Sequence, residues 1–266
     1  MTLLFALPGN EPLAERLWAG GCRRGELDYH TFPDGEVLPR FLSDVSQQHI
    51  YLLCSLDRPN EKMAGLMFLA ETARALGAHS VHLVAPYLGY MRQDKSFHQG
   101  EAVTSHIFAK FLSHYFDTII TVDPHLHRHK SLETVFNDRI RILHCAGIIG
   151  SWIERHIEKP CLIGPDEESS QWVERIAMDC DIPYQVLSKV RQGDQDVSVS
   201  LPDVRKLQGH TPVIVDDIIS TGRTIMAAAE LIRGQEFKMA LPVCIGIHAV
   251  FAADAWQTMR KTGLER

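Results

Sequence analysis

A short stretch in the carboxyl-terminal half, VIVDDIISTGRTI at 213–225, constrains the fold more than any other feature of the sequence. Its apolar residues predict a short buried strand, with Asp216 and Asp217 at the carboxyl end of that strand. Small polar residues then lead into MAAAELI at 226–232, a run of good helix formers. The stretch therefore predicts a strand, a loop and a helix in succession.

The loop between this strand and this helix has the chemistry of a phosphate site. Residues 220–224 would offer backbone N–H groups, hydroxyl donors and the positive end of a helix dipole to a dianionic phosphate. The ionised side chains of Asp216 and Asp217 are acceptors and suit a vicinal diol. Phosphate and diol together indicate a ribose 5-phosphate. A strand-to-helix turn capped by Ser or Thr is the simpler alternative.

Composition excludes several classes of protein. The chain has 266 residues, 45% hydrophobic and 23% charged, which is typical of a soluble globular protein. A formal net charge of −6 argues against a nucleic-acid partner. No segment approaches the roughly 18 apolar residues of a membrane span, so we expect no membrane partner and a cytoplasmic protein. Six scattered cysteines lack C-x-x-C spacing, which favours reduced thiols over disulfides or zinc.

Strand and helix patterns alternate along the chain, which predicts a parallel sheet with its functional loops at the carboxyl ends of the strands. The predicted strands include 3–7, 50–55, 81–85, 118–123, 161–164, 184–187 and 243–248, and the predicted helices include 11–20, 61–76 with Asn60 as its N-cap, 100–112 and 253–261. The pattern restarts near residue 145. We therefore expect two α/β domains, 1–145 and 146–266.

The sequence VDDIISTGRT at 215–224 resembles the phosphoribosyl-diphosphate loop of type I phosphoribosyltransferases and of ribose-phosphate pyrophosphokinases. The resemblance implies two tandem type I phosphoribosyltransferase-like domains, each a largely parallel sheet flanked by helices. It also implies a binding set for ribose 5-phosphate. That set is Asp216, Asp217, Ser220, Thr221, Gly222, Arg223 and Thr224. The loop alone does not distinguish the two families.

Two segments of the amino-terminal half resemble ribose-phosphate pyrophosphokinases in particular. FPDGE at 32–36 is a turn signal on its own, and it resembles the segment with which that family reaches the ATP of a neighbouring subunit. PYLGYMRQDK at 86–95 resembles the family's ATP loop. The ATP residues implied are Phe32, Asp34, Glu36, Arg92, Gln93 and Asp94. The shared site implies a homodimer or a larger homo-oligomer.

Two further resemblances concern a magnesium cofactor. VDPH at 122–125 is similar to the family's Val-Asp-Leu-His, so His125 would help to position the Mg²⁺ of Mg-ATP, although Pro124 is a departure. GPD at 164–166 is similar to a Ser-Pro-Asp loop, so Asp166 would lie near ribose and metal. Here Gly replaces Ser, and EESS at 167–170 replaces a glycine-rich run. Acids at a helix start also simply suit the helix dipole.

Lys189 and Arg191 precede the polar, turn-rich stretch QGDQD at 192–196, which predicts a mobile lid. Two cations at its hinge would close over transferred phosphates and neutralise developing charge. The resemblance implies that both are the main catalytic residues, although Gln192 stands where the family has a third basic residue. A solvated basic turn is the alternative.

The chain contains no Walker A sequence, so nucleotide binding does not rest on a P-loop. The resemblance extends over both halves and implies a ribose-phosphate diphosphokinase, which transfers the β,γ-diphosphoryl group of Mg-ATP to the C1 hydroxyl of ribose 5-phosphate. Two alternatives stay open: a phosphoribosyltransferase, and a catalytically silent regulatory subunit. Family members continue beyond the helix at 253–261, which implies a short or truncated variant.

Overall fold

A computed structural model describes residues 1–125, 132, 135–192, 196–200, 209–234 and 241–262. His127 and His129, which follow His125 in the sequence, lie outside these ranges. The chain forms two compact units, Met1–Leu143 and His144–Arg266. All six cysteines are free thiols, as the sequence predicts.

The first unit is built on a five-stranded parallel sheet with strand order β1-β4-β5-β6-β7, and β2 and β3 form a separate antiparallel hairpin. Its elements are β1 (Thr2–Ala6), α1 (Glu11–Ala19), β2 (Leu27–Thr31), β3 (Val37–Phe41), β4 (His49–Leu53), α2 (Pro59–Ala75), β5 (Ser80–Val84), α3 (Thr104–Tyr115), β6 (Thr118–Val122) and β7 (Ile140–Leu143).

Successive residues of a strand point to opposite sides of the sheet, and these strands carry apolar side chains on both sides. Helices therefore pack on both faces. Phe5 and Leu52 are fully buried in one cluster with Leu69 of α2 and Leu112 of α3. On the opposite face, Leu4 packs with α1. Because helices pack on both faces, apolar residues occur at successive positions of these strands, and this explains the apolar runs that predict the strands.

The start of α2 differs from its prediction. The helix begins at Pro59, the N-cap is Arg58, and no side chain caps it. Proline suits the first helical position because its fixed φ is helical and its missing N–H would be unpaired there anyway. The N-cap role predicted for Asn60 is therefore wrong, and its side-chain oxygen instead accepts a hydrogen bond from the Tyr90 hydroxyl.

The second unit contains a four-stranded parallel sheet with strand order β13-β12-β8-β9. Its elements are α4 (Ala146–His156), β8 (Pro160–Gly164), a 3₁₀ turn (Glu167–Ser169), α5 (Ser170–Cys180), β9 (Tyr184–Val186), β10 (Ser188–Gln192), β11 (Asp196–Ser200), β12 (Thr211–Ile219), α6 (Arg223–Gly234), β13 (Val243–Ala249) and α7 (Ala255–Lys261). The central strands β8 and β12 are buried on both faces, which is typical of a parallel sheet.

Two sequence interpretations in this unit need correction. Lys189 and Arg191 do not lie in a loop after a strand: their backbones lie in β10, which pairs antiparallel with β11 from Ser188–Ser200 to Gln192–Asp196. The lid predicted at 192–196 stays a prediction, because residues 193–195 lie outside the described residues. The β-branched residues Val190 on β10 and Val197 and Val199 on β11 favour this hairpin over a loop. Asp216 and Asp217 do not follow their strand either, because β12 continues to pair with β13 as far as Ile219.

The parallel sheets with flanking helices confirm the predicted α/β class. Within the part of the chain described here, no helix combines the length and the apolar character needed to cross a bilayer.

Candidate active site

The acid pair lies in a half-open part of the second unit's sheet. On one side, β13 accompanies β12 past both acids, with Asp216 opposite Gly246. On the other side, the described pairing with β8 ends at Ile214. Asp217 is buried, with 5% of its surface exposed. The sheet therefore holds both carboxylates rigidly where one neighbouring strand has already ended.

The surroundings of Asp216 disfavour the ionised form of its carboxyl group. Burial first, and then the carboxylates of Asp217 and Asp166, raises the pKa of Asp216 from 3.8 to about 7. The backbone N–H of Asp217 donates to Asp216 Oδ1 at 3.0 Å and offsets part of this effect. Hydroxyl donors or a cation would stabilise the ionised pair, because each offsets the repulsion between its carboxylates.

The loop at 220–224 is fixed between β12 and α6. The carbonyl oxygen of Ser220 accepts a hydrogen bond of 3.0 Å from Ala252 N–H, and Thr221 Oγ1 accepts one of 3.5 Å from Arg223 N–H. Gly222 has a φ of +69°, a left-handed conformation that suits glycine. Since α6 begins at Arg223, its first turn adjoins this loop, and the first N–H groups of a helix have no partner within the helix itself. That arrangement suits a phosphate.

Asp166 lies in the same unit, at the start of the 3₁₀ turn after β8. Its Oδ1 accepts a hydrogen bond of 3.1 Å from Glu168 N–H, so it caps the turn. The turn packs against β12, and the Asp166 carboxylate acts electrostatically on Asp216. The cap agrees with the interpretation that an acid suits the start of a helix, and the role of Asp166 near ribose and metal stays a prediction.

The donor set of this unit fits Mg²⁺. Asp166, Asp216 and Asp217 offer only carboxylate oxygens, the hard ligands that Mg²⁺ prefers. Among the described residues, no three or more His, Cys, Asp and Glu side chains are grouped to hold a metal by themselves. Mg²⁺ commonly takes one or two carboxylates and completes its shell with water and substrate phosphates, so a full protein cage is not required.

The FPDGE segment forms the tip of the β2–β3 hairpin in the first unit. Phe32 N–H donates to the Glu36 carbonyl at 2.8 Å, and Glu36 N–H donates to Asp34 Oδ1 at 3.1 Å. Phe32 is 39% exposed and stands edge-on to the ring of His30. The tip is thus a structured turn with an aromatic side chain accessible to a ligand or a partner.

The second predicted ATP segment follows β5. The Pro86 carbonyl accepts a hydrogen bond from Val122 N–H at 3.1 Å, and the Tyr90 ring lies 4.8 Å from that of Phe108 in α3. This anchored loop exposes Arg92 and Gln93, whereas Asp94 is buried. The side chains of Arg92 and Gln93 are therefore accessible to a nucleotide, whereas that of Asp94 is shielded from solvent.

The remaining predicted residues are placed as follows. His125 is half-buried and lies just after the carboxyl end of β6 in the first unit. The backbones of Lys189 and Arg191 lie in β10, and their side chains are outside the described part of the structure. Asp166, the acid pair and the 220–224 loop thus belong to one unit, and the predicted ATP segments and His125 belong to the other.

Sequence reasoning missed two residues that support these segments. Tyr29 of β2 packs against Gly65 of α2, where a Cβ would meet its hydroxyl, so it docks the hairpin that carries Phe32. Met259 of α7 lies beneath Gly222, with Sδ 2.5 Å from the position of a Cβ on that glycine. Neither contact has a local signal, since the partners are 36 or 37 residues apart.

Comparison with known proteins matches both halves of the chain. Residues 2–115 match the N-terminal domain of ribose phosphate pyrophosphokinase, and residues 131–263 match the phosphoribosyl transferase domain. The ribose-phosphate pyrophosphokinase of Saccharolobus solfataricus is 32% identical over 243 residues, which cover 90% of this chain and 82% of that protein. The ribose-phosphate pyrophosphokinase of Methanobrevibacter smithii is also 32% identical, with 86% and 78% covered.

The fold agrees with these matches. A crystal structure of phosphoribosylpyrophosphate synthetase from Mycobacterium smegmatis superposes with a TM-score of 0.85 at 22% identity, covering 97% of this chain and 84% of that one. Fold and site together define a protein built from phosphoribosyltransferase-type α/β domains. The chain belongs to the ribose-phosphate pyrophosphokinase family and is an enzyme of that family. This confirms the family and the enzyme class predicted from its motifs.

Proposed function

We propose that this protein transfers the β,γ-diphosphoryl group of Mg-ATP to the C1 hydroxyl of ribose 5-phosphate, giving phosphoribosyl diphosphate and AMP. The observation that carries the proposal is the second unit's site, in which the half-buried Asp216 and the buried Asp217 adjoin a hydroxyl-rich loop at the start of α6. The carboxylates there can accept hydrogen bonds from the ribose diol, and the adjoining loop can donate hydrogen bonds to the 5-phosphate.

Each group has a task in this reaction. Ser220, Thr221, Gly222, Arg223 and Thr224 bind the 5-phosphate, while Asp216 and Asp217 accept hydrogen bonds from the ribose hydroxyls. This holds the C1 hydroxyl in one orientation for attack on the β-phosphorus. Catalysis is then mainly positioning and charge neutralisation.

The nucleotide is assigned to the first unit's segments. Arg92 and Gln93 hold ATP, with Asp94 supporting their loop, and the exposed hairpin tip with Phe32, Asp34 and Glu36 completes a site on a second copy of the chain. Lys189 and Arg191 stabilise the charge that develops on the transferred phosphates. His125 would help to hold the Mg²⁺ of Mg-ATP, and Asp166 would hold Mg²⁺ near the ribose. The metal would supply charge neutralisation at the phosphate oxygens. The proposed setting is a cytoplasmic homodimer or larger homo-oligomer.

A ³¹P NMR time course with ATP, Mg²⁺ and ribose 5-phosphate tests the reaction. We expect AMP and a diphosphate attached to C1 to appear together, and no such product with Asp216→Asn. Intact ATP, with binding shown by calorimetry, would instead indicate a silent regulatory subunit. Turnover of phosphoribosyl diphosphate with a nucleobase and without ATP would indicate a phosphoribosyltransferase.

Mixing two inactive variants tests the shared site. Phe32→Ala damages the segment that we assign to the neighbouring copy, and Lys189→Ala damages the catalytic hairpin. If sites are shared between copies, a mixture refolded together regains activity, because some sites combine two intact segments. No recovery in hybrids whose formation is shown by native mass spectrometry would contradict the shared site.

A further inference from the structure

The turn that presents Asp166 depends on a matched pair of small residues, Gly164 and Ser169. Gly164 ends β8 and has no side chain, and a Cβ built there would lie only 2.6 Å from Ser169 Oγ. That distance is shorter than any real Cβ contact allows. Ser169 itself is fully buried. Its hydroxyl therefore occupies space that exists only because residue 164 is glycine.

From this position, the hydroxyl of Ser169 holds the backbone of Asp166 at two atoms. Ser169 Oγ donates a hydrogen bond of 2.6 Å to the Asp166 carbonyl oxygen and accepts one of 3.4 Å from the Asp166 N–H. On the side-chain end, Asp166 Oδ1 accepts from Glu168 N–H at 3.1 Å. The main chain and the carboxylate of Asp166 are thus fixed by groups of the same short turn.

The direction in which the turn holds Asp166 matters for the acid pair. The turn packs against β12, and the Asp166 carboxylate is close enough to act on the charge of Asp216. Asp166 therefore acts electrostatically on Asp216 in addition to capping the 3₁₀ turn. The geometry therefore links Ser169 to the site through Asp166.

We propose that Ser169 is a positioning residue, which holds the Asp166 carboxylate toward a divalent cation at the ribose 5-phosphate site, and that Gly164 provides the space for it. The inference rests on the proposed function, because it assigns Asp166 to the cation. It adds a residue whose hydroxyl touches neither substrate nor metal. Groups that orient a metal ligand in this way typically change metal affinity by about 10- to 100-fold when they are removed.

Titration of the protein with Mn²⁺ alone, followed by electron paramagnetic resonance, tests the inference without turnover. Asp166→Asn identifies the site by weakening Mn²⁺ binding. Ser169→Ala is expected to raise the dissociation constant by about tenfold. Ser170→Ala, a matched loss of the adjacent hydroxyl, is expected to leave it unchanged. Melting temperatures of all variants establish that each is folded.

Substitution of Gly164, which leaves the Ser169 hydroxyl in place, gives a second, independent test of the contact between these residues. Gly164→Ala introduces the clash with Ser169 Oγ, so it is expected to weaken Mn²⁺ binding. The double variant Gly164→Ala with Ser169→Ala lacks that oxygen, and the added Cβ still lies 3.2 Å from Val186 Cγ2. Its loss of affinity is therefore expected to be smaller than the sum of the two single losses, because the two changes share the Ser169 Oγ contact. Strictly additive losses would overturn the proposed pairing of these residues.

The outcomes separate the two levels of the proposal. If Asp166→Asn weakens Mn²⁺ binding and Ser169→Ala does not, the positioning role is overturned and the proposed function stands. If Asp166→Asn has no effect, the cation role of Asp166 fails, and the role of Ser169 fails with it. If Ser169→Ala and Ser170→Ala reduce affinity and melting temperature equally, Ser169 is only structural.

Discussion

Replacing Asp216 by Asn should stabilise the ligand-free protein at neutral and alkaline pH. Burial, with Asp217 and Asp166 nearby, raises the pKa of Asp216 from 3.8 to about 7. The folded protein therefore binds this proton more tightly than the unfolded chain does. Stability from this group is fully present below about pH 4 and is lost as the pH rises towards 7. Asn keeps the shape and the acceptor for Asp217 N–H but cannot ionise.

The size of the effect follows from the pKa. Each unit is worth about 1.4 kcal/mol, so ionising Asp216 in the fold costs about 4 kcal/mol as an upper bound. We expect Asp216→Asn to raise the free energy of unfolding by about 2–4 kcal/mol at pH 8, and by about half as much or less at pH 5. The loss of the charge should also abolish the proposed activity, so stability and function would change in opposite directions.

Urea unfolding at pH 5 and pH 8, in buffer without divalent cations, measures this difference. Three of the four tryptophans, at positions 152, 172 and 256, lie in the second unit, so fluorescence mainly follows the unit that contains Asp216. Asp179→Asn removes an exposed carboxylate from the same unit and serves as the control. An Asp216→Asn protein less stable than the wild type at pH 8, or a gap equal at both pH values, would refute the electrostatic reasoning.

Three other substitutions test single contacts. Gly222→Ala should cost about 2–4 kcal/mol in unfolding free energy, since it combines a φ of +69° with a Cβ 2.5 Å from Met259 Sδ, and calorimetry should show weaker ribose 5-phosphate binding. Gly65→Ala should displace Tyr29 and raise the KM for ATP, at a stability cost of about 1–3 kcal/mol by urea unfolding; an unchanged KM would contradict the docking role. Lys189→Ala should lower kcat about 100-fold or more with an unchanged melting temperature, and near-normal turnover in steady-state assays would exclude its catalytic role.

The sequence predicts the parallel strands well, because strands buried on both faces appear in the sequence as short continuous apolar runs. Val213, Ile214 and Val215 are fully buried, and a continuous apolar run of this kind indicates a central parallel strand. The turn at 32–36 is also predictable, since Gly35 has the positive φ that the Pro-Asp-Gly pattern requires. The strands on either side of that turn were not predicted, and Pro39 in β3 obscures their pattern.

The site is less predictable because its geometry depends on partners that are distant along the chain. Nothing in the residues around Asp216 shows that β12 continues past it, because that depends on pairing with β13 about 30 residues later. The capping role of Asp166 has a local signal, the Asp-x-x-Ser spacing that ends at Ser169. Its effect on Asp216 has none, since only the fold brings the turn against β12.

The position of the acids inside β12 has a consequence for how this site binds. Carboxylates on a flexible loop could turn toward water and relieve their repulsion, but those of a hydrogen-bonded strand cannot move far. Asp216 is held beside Asp217 and under the influence of Asp166, so its pKa is raised to about 7 and its ionised form is costly in the fold. A ligand that brings hydroxyl donors or a cation removes this cost on binding, and the released free energy adds to its affinity. The fold therefore gives up stability in the ligand-free state, and that loss favours occupation of the site.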